Sequence, residues 1–269
     1  MAEYIGVFDS GLGGLTNVKE LNKLLPDENI IYFGDTGRVP YGSRSKETII
    51  KYTLQDIRFL KSFPIKAIVV ACGTVSSIAL DTIKDTIDIP IIGVVEPTCK
   101  KAMKATRNGK IGIIGTEGTI KSGSYRNKMQ KANSKLEIYE KACPLFVPLV
   151  ENGYVKKDAT YLIAEEYLHP LKEKGVDTLI LGCTHYPLLS EVIGDIMGND
   201  VRLINPGVET AVYTKEFLKE NNLLTGSGIL GNIEYYVSDD VEKFSYLAQP
   251  FLGNNNVLAN VKKINIEEW

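Results

Sequence analysis

Short runs of apolar, β-branched residues alternate along this chain with longer amphipathic stretches. Residues 15–25 and 47–62 have the apolar spacing of helices. Four apolar runs predict buried strands around them: YIGVF (4–8), NIIYF (29–33), AIVVA (67–71) and IIGVV (91–95). Strands that are apolar throughout and joined by helices indicate a parallel sheet covered on both faces. Such a sheet binds ligands at the carboxyl ends of its strands.

The same pattern occurs twice in the chain. IGVFDSGLGG, beginning at Ile5, matches IGIIGTEGTIKSG, beginning at Ile111. Cys72 follows one apolar run, and Cys183 follows the counterpart of that run, TLILG. Two further pairs match in the same order: IIYFGDT has a weaker counterpart in LEIYEKAC, and GVVEP has a counterpart in RLINP. These matches in one order predict two similar α/β halves. The alternative is that parallel strands resemble one another by chance.

We therefore predict an α/β fold with two similar parallel-sheet domains, related by a pseudo-two-fold axis and enclosing an active site in the cleft between them. The first domain would comprise residues 1–96 plus 209–269, and the second residues 97–208. The C-terminal part predicts a helix at 208–222, a strand at 232–237 and a helix at 241–248. It is too short for a third domain and should pack on the first half.

Composition and charge narrow the class of protein. The chain has 269 residues, of which 44% are hydrophobic and 24% charged, enough for one or two globular domains with a large core. The net charge of -2 provides no overall basic field for nucleic acid or an anionic membrane. The N-terminal segment lacks the basic and apolar regions of a signal peptide, so we expect a cytoplasmic protein. Four scattered cysteines without a CxxC pair fit reduced thiols better than disulfides or a zinc site.

Two of the four cysteines, Cys72 and Cys183, follow predicted strands and precede small polar residues that can open a helix. The N-terminus of a helix favours thiolate over thiol. Two such thiols, facing each other across a cleft, could remove and return a proton on opposite faces of one carbon. That is the chemistry of a racemase.

The motifs also carry a family resemblance. In order along the chain they are VFDSGLGGLT, YFGDTGRVPYG, VVACGTVSS, GVVEP, GTEGT, FVPLVENG and LGCTHYPLL. As an ordered set they resemble the bacterial glutamate racemases, members of the cofactor-independent aspartate/glutamate racemase superfamily. The resemblance implies interconversion of L- and D-glutamate without a cofactor or metal, supplying D-glutamate for peptidoglycan. A Schiff-base lysine signature and a cofactor phosphate loop are not evident in the sequence.

The resemblance also implies catalytic residues. Cys72 and Cys183 match the two thiols, which exchange the roles of base and acid with the hand of the substrate. Asp9 matches an acidic residue near the first thiol, and His185 matches a histidine that assists proton movement at the second. From the residues alone, the alternative for Asp9 is a cap at a strand-to-helix turn. A lone histidine is usually a surface or packed residue, but the position of His185 two residues after a strand-end cysteine favours a functional role.

Substrate contacts are implied at further positions in the same motifs. Besides Asp9 and His185, they are Ser10, Tyr41, Gly42, Gly73, Thr74, Thr116, Thr119, Glu151 and Thr184. Taken alone, Thr74, Thr116 and Thr119 are explained as helix N-caps, and Glu151 as an exposed loop carboxylate. The Tyr41–Gly42 pair would read as a turn.

The remaining cysteines and the second histidine carry no predicted chemistry. Cys99 and Cys143 fit buried small hydrophobes, and His169 fits a helix end or the surface.

Two positions depart from the family pattern. Relatives commonly carry asparagine after the first cysteine, where this chain has Gly73, so a side-chain amide that would contact substrate is missing. Relatives often carry aspartate where this chain has Asn205. Both departures bear on substrate selectivity, and neither changes the two thiols.

Other functions stay open at this point. One is racemisation of a different acidic amino acid such as aspartate, and another is a ligand-binding relative that has lost turnover. The expected partner is glutamate, and we expect neither nucleic acid nor a membrane. Relatives are commonly dimers, so the resemblance implies a homodimer, while the sequence itself leaves the oligomeric state open.

Overall fold

Parallel strands form the framework of the protein. The computed structural model describes residues 3–253 and 261–269. In chain order the strands are β1 (Tyr4–Asp9), β2 (Asn29–Gly34), β3 (Ile65–Val70), β4 (Ile91–Gly93), β5 (Lys110–Gly115), β6 (Glu137–Ala142), β7 (Thr178–Gly182), β8 (Arg202–Ile204), β9 (Ile233–Val237) and β10 (Val261–Lys263).

Helices connect these strands. They are α1 (Leu15–Leu24), α2 (Lys46–Leu60), α3 (Gly73–Ile78), α4 (Leu80–Ile83), α5 (Val95–Ala105), α6 (Glu117–Ser122), α7 (Ser124–Ala132), α8 (Phe146–Glu151), α9 (Asp158–Glu173), α10 (Ser190–Met197), α11 (Pro206–Glu220) and α12 (Val241–Leu252). Single 3-10 turns lie at Lys84–Thr86, Tyr186–Leu189 and Ile266–Glu268. Within the described residues, no helix combines the length and apolar character needed to cross a membrane.

The strands form two sheets with all neighbours parallel. The larger has the order β10-β9-β2-β1-β3-β4, and the smaller has the order β6-β5-β7-β8. In each sheet, the first strand of a consecutive set of four lies between the second and the third. The prediction of an α/β fold with two parallel sheets is confirmed. Because β3 and β7 hold equivalent places, the residues that follow them lie at equivalent positions in the two sheets.

Both sheets are buried on their two faces, where apolar side chains of the strands pack in the hydrophobic core. One continuous core includes Val7 of β1 and Leu181 of β7, so both sheets contribute to it. The opposite face of the larger sheet, with Phe8, packs against α2, and the opposite face of the smaller sheet, with Ile113, packs against α5 and α7. Burial on both faces explains why these strands read as continuous apolar runs.

The predicted helix at 15–25 is α1, and the one at 47–62 is α2. The helix at 208–222 begins earlier, at Pro206, because Asn205 accepts a hydrogen bond from the Gly207 amide and caps α11. The predicted strand at 91–95 is too long, since β4 ends at Gly93 and the Val94 amide donates to the hydroxyl of Ser76.

The last part of the chain returns to the larger sheet, where β9 pairs in parallel with β2. Between the sheets, α5 and α11 pack on each other, and α11 also packs on α1. The helices at the two crossings therefore contact both halves, and the domain bounds at residues 96/97 and 208/209 stay a prediction.

Candidate active site

The carboxyl ends of strands from both sheets meet at one cavity of about 490 Å³. Cys72 lies two residues after β3, and Cys183 directly follows β7. Both cysteines line the cavity. Two thiols from equivalent strand ends therefore reach the same space from different sheets.

Most of the predicted site residues lie around this cavity. Those in its lining are Ser10, Tyr41, Gly42, Cys72, Gly73, Thr74, Thr116, Glu151, Cys183, Thr184 and His185. Asp9 and Thr119 lie outside the lining, each bonded to a residue that belongs to it. The structure thus brings together side chains that the sequence separates by more than a hundred residues.

Burial and a nearby carboxylate keep Cys72 protonated. Its sulfur donates to the Ser10 hydroxyl over 3.5 Å. Burial, together with the nearby negative charge of Asp9, raises the pKa of the Cys72 thiol to about 12. At neutral pH Cys72 is therefore a thiol that can donate a proton.

Asp9 lies buried behind Cys72 at the end of β1. One of its carboxylate oxygens, Oδ2, accepts a hydrogen bond of 3.1 Å from the Gly11 amide. Among the described residues, its other oxygen, Oδ1, has no hydrogen-bond partner. Burial raises the pKa of Asp9 above its ordinary value, although the charge of His185 opposes the shift. A carboxylate in this state is suited to accept a proton.

The surroundings of Cys183 differ in charge. Nδ1 of His185 lies 4.0 Å from the Cys183 sulfur, and Nε2 lies 2.9 Å from Oε1 of Glu151. Burial lowers the pKa of His185, but its hydrogen bonds to Cys183 and Glu151 outweigh this effect and raise the pKa to about 10. The imidazolium that results stabilises negative charge on the Cys183 sulfur. Glu151 is the last residue of α8, so the alternative interpretation as a loop carboxylate is wrong about its secondary structure.

Three threonines form a chain of hydroxyls between the sheets. The Thr74 and Thr116 hydroxyl oxygens are 3.0 Å apart, and Thr116 donates to the Thr119 hydroxyl over 3.0 Å. Thr116 is also the N-cap of α6, since its hydroxyl accepts from the Thr119 amide. Capping and lining the cavity are thus compatible roles for Thr116, whereas the buried Thr119 supports it from behind.

The hydroxyl of Tyr41 is committed elsewhere. It donates to Asp35 and lies 3.2 Å from Oδ2 of Asp56. Arg38 binds the same two carboxylates, at 2.6 Å and 3.1 Å. The loop that carries Tyr41 is therefore anchored by buried charges. The carbonyl oxygen of Gly42 accepts from the Gly118 amide over 3.1 Å, which links this loop to α6.

Part of this site was not predicted from the sequence. Asp35, Asp56 and Arg38 were not predicted, although Asp35 directly follows β2, a signal that could have identified it. Cys143 was interpreted as a packing residue, and this is incomplete. It is buried, but it directly follows β6 and lines the cavity. Other unpredicted lining residues are Gly11, Leu12, Val39, Pro40, Ser43, Glu117, Pro144, Val147, Pro148, Gly182 and Tyr186.

The remaining polar residues singled out earlier lie away from the cavity. Asn205 lies outside its lining, and as the cap of α11 it has a local structural role that aspartate would fill equally well. His169 is exposed on α9, with its Nε2 3.3 Å from Oε1 of Glu173.

Comparison with known proteins assigns the family. The sequence profile described as Asp/Glu/Hydantoin racemase matches residues 14–214. The chain belongs to this racemase family. The family resemblance that the ordered motifs indicated is confirmed.

Racemases of this family resemble the chain over nearly its whole length. A glutamate racemase from Geobacter metallireducens is 47% identical, and the alignment covers 98% of this chain and 97% of the relative. Among solved structures, a glutamate racemase isoform from Bacillus anthracis superposes with a TM-score of 0.93 at 37% identity and 97% coverage of both chains. A glutamate racemase from Francisella tularensis, solved in complex with D-glutamate, has a TM-score of 0.92 at 38% identity and 99% coverage of both chains.

Proposed function

We propose that this racemase interconverts L- and D-glutamate by moving the α-proton between Cys72 and Cys183. The observation that carries the proposal is the pair of thiols, which reach one cavity from equivalent strand ends of two sheets. The glutamate racemases that match the chain over nearly its full length support glutamate as the substrate.

In one direction, Cys183 acts as the base. His185 stabilises the Cys183 thiolate, which takes the α-proton, so that the C–H bond breaks and an S–H bond forms. The electron pair left on the α-carbon delocalises into the substrate carboxylate. Cys72, a thiol because of its raised pKa, then delivers its proton to the opposite face of the carbon and becomes a thiolate.

In the other direction, Cys72 acts as the base and Cys183 as the acid. We propose that Asp9, a buried acid whose charge acts on Cys72 and whose pKa is raised, accepts the Cys72 proton and so generates the thiolate. After Cys183 has given its proton to the α-carbon, the imidazolium of His185 can transfer its own proton to the Cys183 thiolate and regenerate the thiol. Each thiol thus has its own proton-handling neighbour, a carboxylate on one side and an imidazole on the other.

Neutral hydrogen-bond donors would stabilise most of the negative charge on the two carboxylates of the substrate. Among the described residues, neither lysine nor arginine lines the cavity, so the imidazolium of His185 is the positive charge in its lining. The hydroxyls of Ser10, Thr74, Thr116 and Thr184 can donate to the two carboxylates. Donors fixed by the fold stabilise the charge that develops on the α-carboxylate in a buried site.

The setting of the enzyme follows from this reaction. We propose that it supplies D-glutamate for peptidoglycan and works in the cytoplasm, where thiols remain reduced; all four cysteines are free. We also propose that the enzyme is a homodimer and that each chain has two domains, bounded at residues 96/97 and 208/209.

The test incubates the purified protein with each enantiomer of glutamate in D2O. Circular dichroism follows inversion, and NMR follows deuterium at the α-carbon. We expect both hands to reach the same racemic mixture with deuterium at the α-carbon. Absence of exchange with either hand would refute the proposal, and exchange with aspartate in place of glutamate would change the substrate.

A further inference from the structure

Gly73 brings the two cysteine-bearing strand ends into contact. It directly follows Cys72 and begins α3, while Gly182 ends β7 directly before Cys183. A Cβ atom on Gly73 would lie 2.6 Å from the carbonyl oxygen of Gly182 and 3.9 Å from Cα of Cys183. The nearest atom belongs to the main chain of a buried strand, so it cannot rotate away as a flexible side chain would.

A second close approach lies nearby, at Gly13 in the loop between β1 and α1. A Cβ atom there would lie 2.1 Å from Oγ1 of Thr184 and 2.6 Å from Nδ1 of His185. The hydroxyl of Thr16 donates to the carbonyl oxygen of Thr184 over 3.1 Å. The residues around Cys183 therefore pack closely on the larger sheet at more than one point, and a displacement at Gly73 would not be absorbed by a loose interface.

We propose that Gly73 is a positioning residue that sets the separation of the two reacting sulfurs. The inference rests on the proposed two-thiol reaction, in which one carbon lies within reach of both sulfurs at once. In this chain, a side chain at position 73, including the asparagine that relatives commonly carry, would push apart two strand ends that lie in contact. The absence of the amide is therefore more than a lost substrate contact, because the close approach found in this chain leaves no room for a Cβ atom.

The first test compares Gly73→Ala with Gly194→Ala, a matched control in α10 whose added Cβ would meet nothing within 4 Å. Since a misplacement of about 1 Å can cost roughly 10²-fold in rate, we expect Gly73→Ala to lower kcat at least about tenfold in both directions with little change in KM. Gly194→Ala should keep the kcat of the unmodified enzyme. Gly73→Ala with unchanged kcat would overturn the proposal.

A second readout separates spacing from general damage. When the sulfurs are too far apart, one thiol still removes and returns the α-proton on its own face, while delivery from the opposite face fails. In D2O, Gly73→Ala should therefore raise the ratio of deuterium in the starting enantiomer to deuterium in the product. Equal loss of exchange and inversion would contradict a role in spacing.

Gly73→Asn tests whether the amide or the missing Cβ matters. We expect it to be at least as impaired as Gly73→Ala, and a kcat equal to or above that of the unmodified enzyme would overturn the proposal.

If neither variant folds, a crystal structure of the unmodified enzyme with D-glutamate decides the question. Contact between the Gly73 Cα and the Gly182 carbonyl oxygen supports the proposal, and a gap wide enough for water overturns it. Failure of the proposed function would instead appear as inactivity of the unmodified enzyme toward glutamate.

Discussion

His185 and Glu151 form a pair in which Nε2 of the imidazole lies 2.9 Å from a carboxylate oxygen, while Nδ1 faces the sulfur of Cys183. The ring nitrogens thus connect an acidic residue at the end of α8 with a thiol at the end of β7. This arrangement gives the Cys183 side of the cavity a positive charge that the Cys72 side lacks.

The first prediction concerns the pH dependence of catalysis. The pKa of His185 is raised to about 10, so its imidazolium is present at neutral pH and is lost as the pH rises through that value. Glu151→Gln removes one cause of the raised pKa, and the alkaline limb of kcat/KM should move to lower pH in the direction that uses Cys183 as base. Glu173→Gln, which breaks the exposed pair with His169, is the control and should leave the profile unchanged. An unmoved limb in Glu151→Gln would argue against this role.

The second prediction concerns the two thiols. Cys72→Ala and Cys183→Ala should each lower inversion to background, because a proton must be delivered to the face opposite the one from which it was removed. Each variant should keep exchange of the α-proton with only the enantiomer that faces its remaining thiol. Deuterium incorporation from D2O, measured separately for L- and D-glutamate, checks this. Cys99→Ala, at a buried cysteine outside the cavity lining, should retain inversion, and a Cys72 or Cys183 variant that inverts normally would exclude opposed bases.

The third prediction concerns thiol reactivity. Burial and the charge of Asp9 raise the pKa of Cys72 to about 12, so this thiol is almost fully protonated at pH 7. Cys183 instead has the Nδ1 of the His185 imidazolium 4.0 Å from its sulfur, and this positive charge attracts a thiolate. A small alkylating reagent should therefore modify Cys183 at least about tenfold faster than Cys72. Peptide mass spectrometry measures both rates, and added glutamate should slow them. Cys99, buried away from the cavity, should react only in denaturant; faster modification of Cys72 than of Cys183 would contradict the charge assignment.

The fourth prediction concerns the loop that carries Tyr41. Tyr41→Phe removes a hydroxyl donor from the buried carboxylates of Asp35 and Asp56, while Ser238 still donates to the other oxygen of Asp35. The lost donor should cost about 1–3 kcal/mol in the free energy of unfolding. Urea unfolding measures this loss. Tyr246→Phe, at a highly exposed position on α12, should change the stability by less than about 0.5 kcal/mol. Equal stability of the two variants would show that the hydroxyl is not needed to hold the buried acids.

Much of the fold could be predicted because its signals are local. Apolar runs such as the one before Cys72 mark strands that are buried on both faces, and parallel strands present the residues after them at one edge. The repeat of this pattern before Cys183 was therefore enough to predict two sheets and one shared cleft. The ordered motifs added the family resemblance, which composition could not supply.

The support of the site could not be predicted in the same way. Arg38 and Asp56 lie on different elements, and no periodic pattern shows that they meet around Tyr41. Tyr41 lines the cavity, as a predicted substrate contact should, but the two carboxylates that bind its hydroxyl were not predicted. Cys143 was assigned to packing because the weakly apolar β6 before it gave a faint strand signal.

The sequence by itself determined the two thiols, the strands that precede them and the family to which the chain belongs, because each depends on the order of neighbouring residues. Only the tertiary structure decided the different charge around the two thiols and the meaning of Gly73. In the sequence, Gly73 is a missing amide, and in the structure it is a place where the carbonyl oxygen of Gly182 leaves no room for a Cβ atom. Distances between separate strands are set by packing across the whole fold, and no local pattern records them.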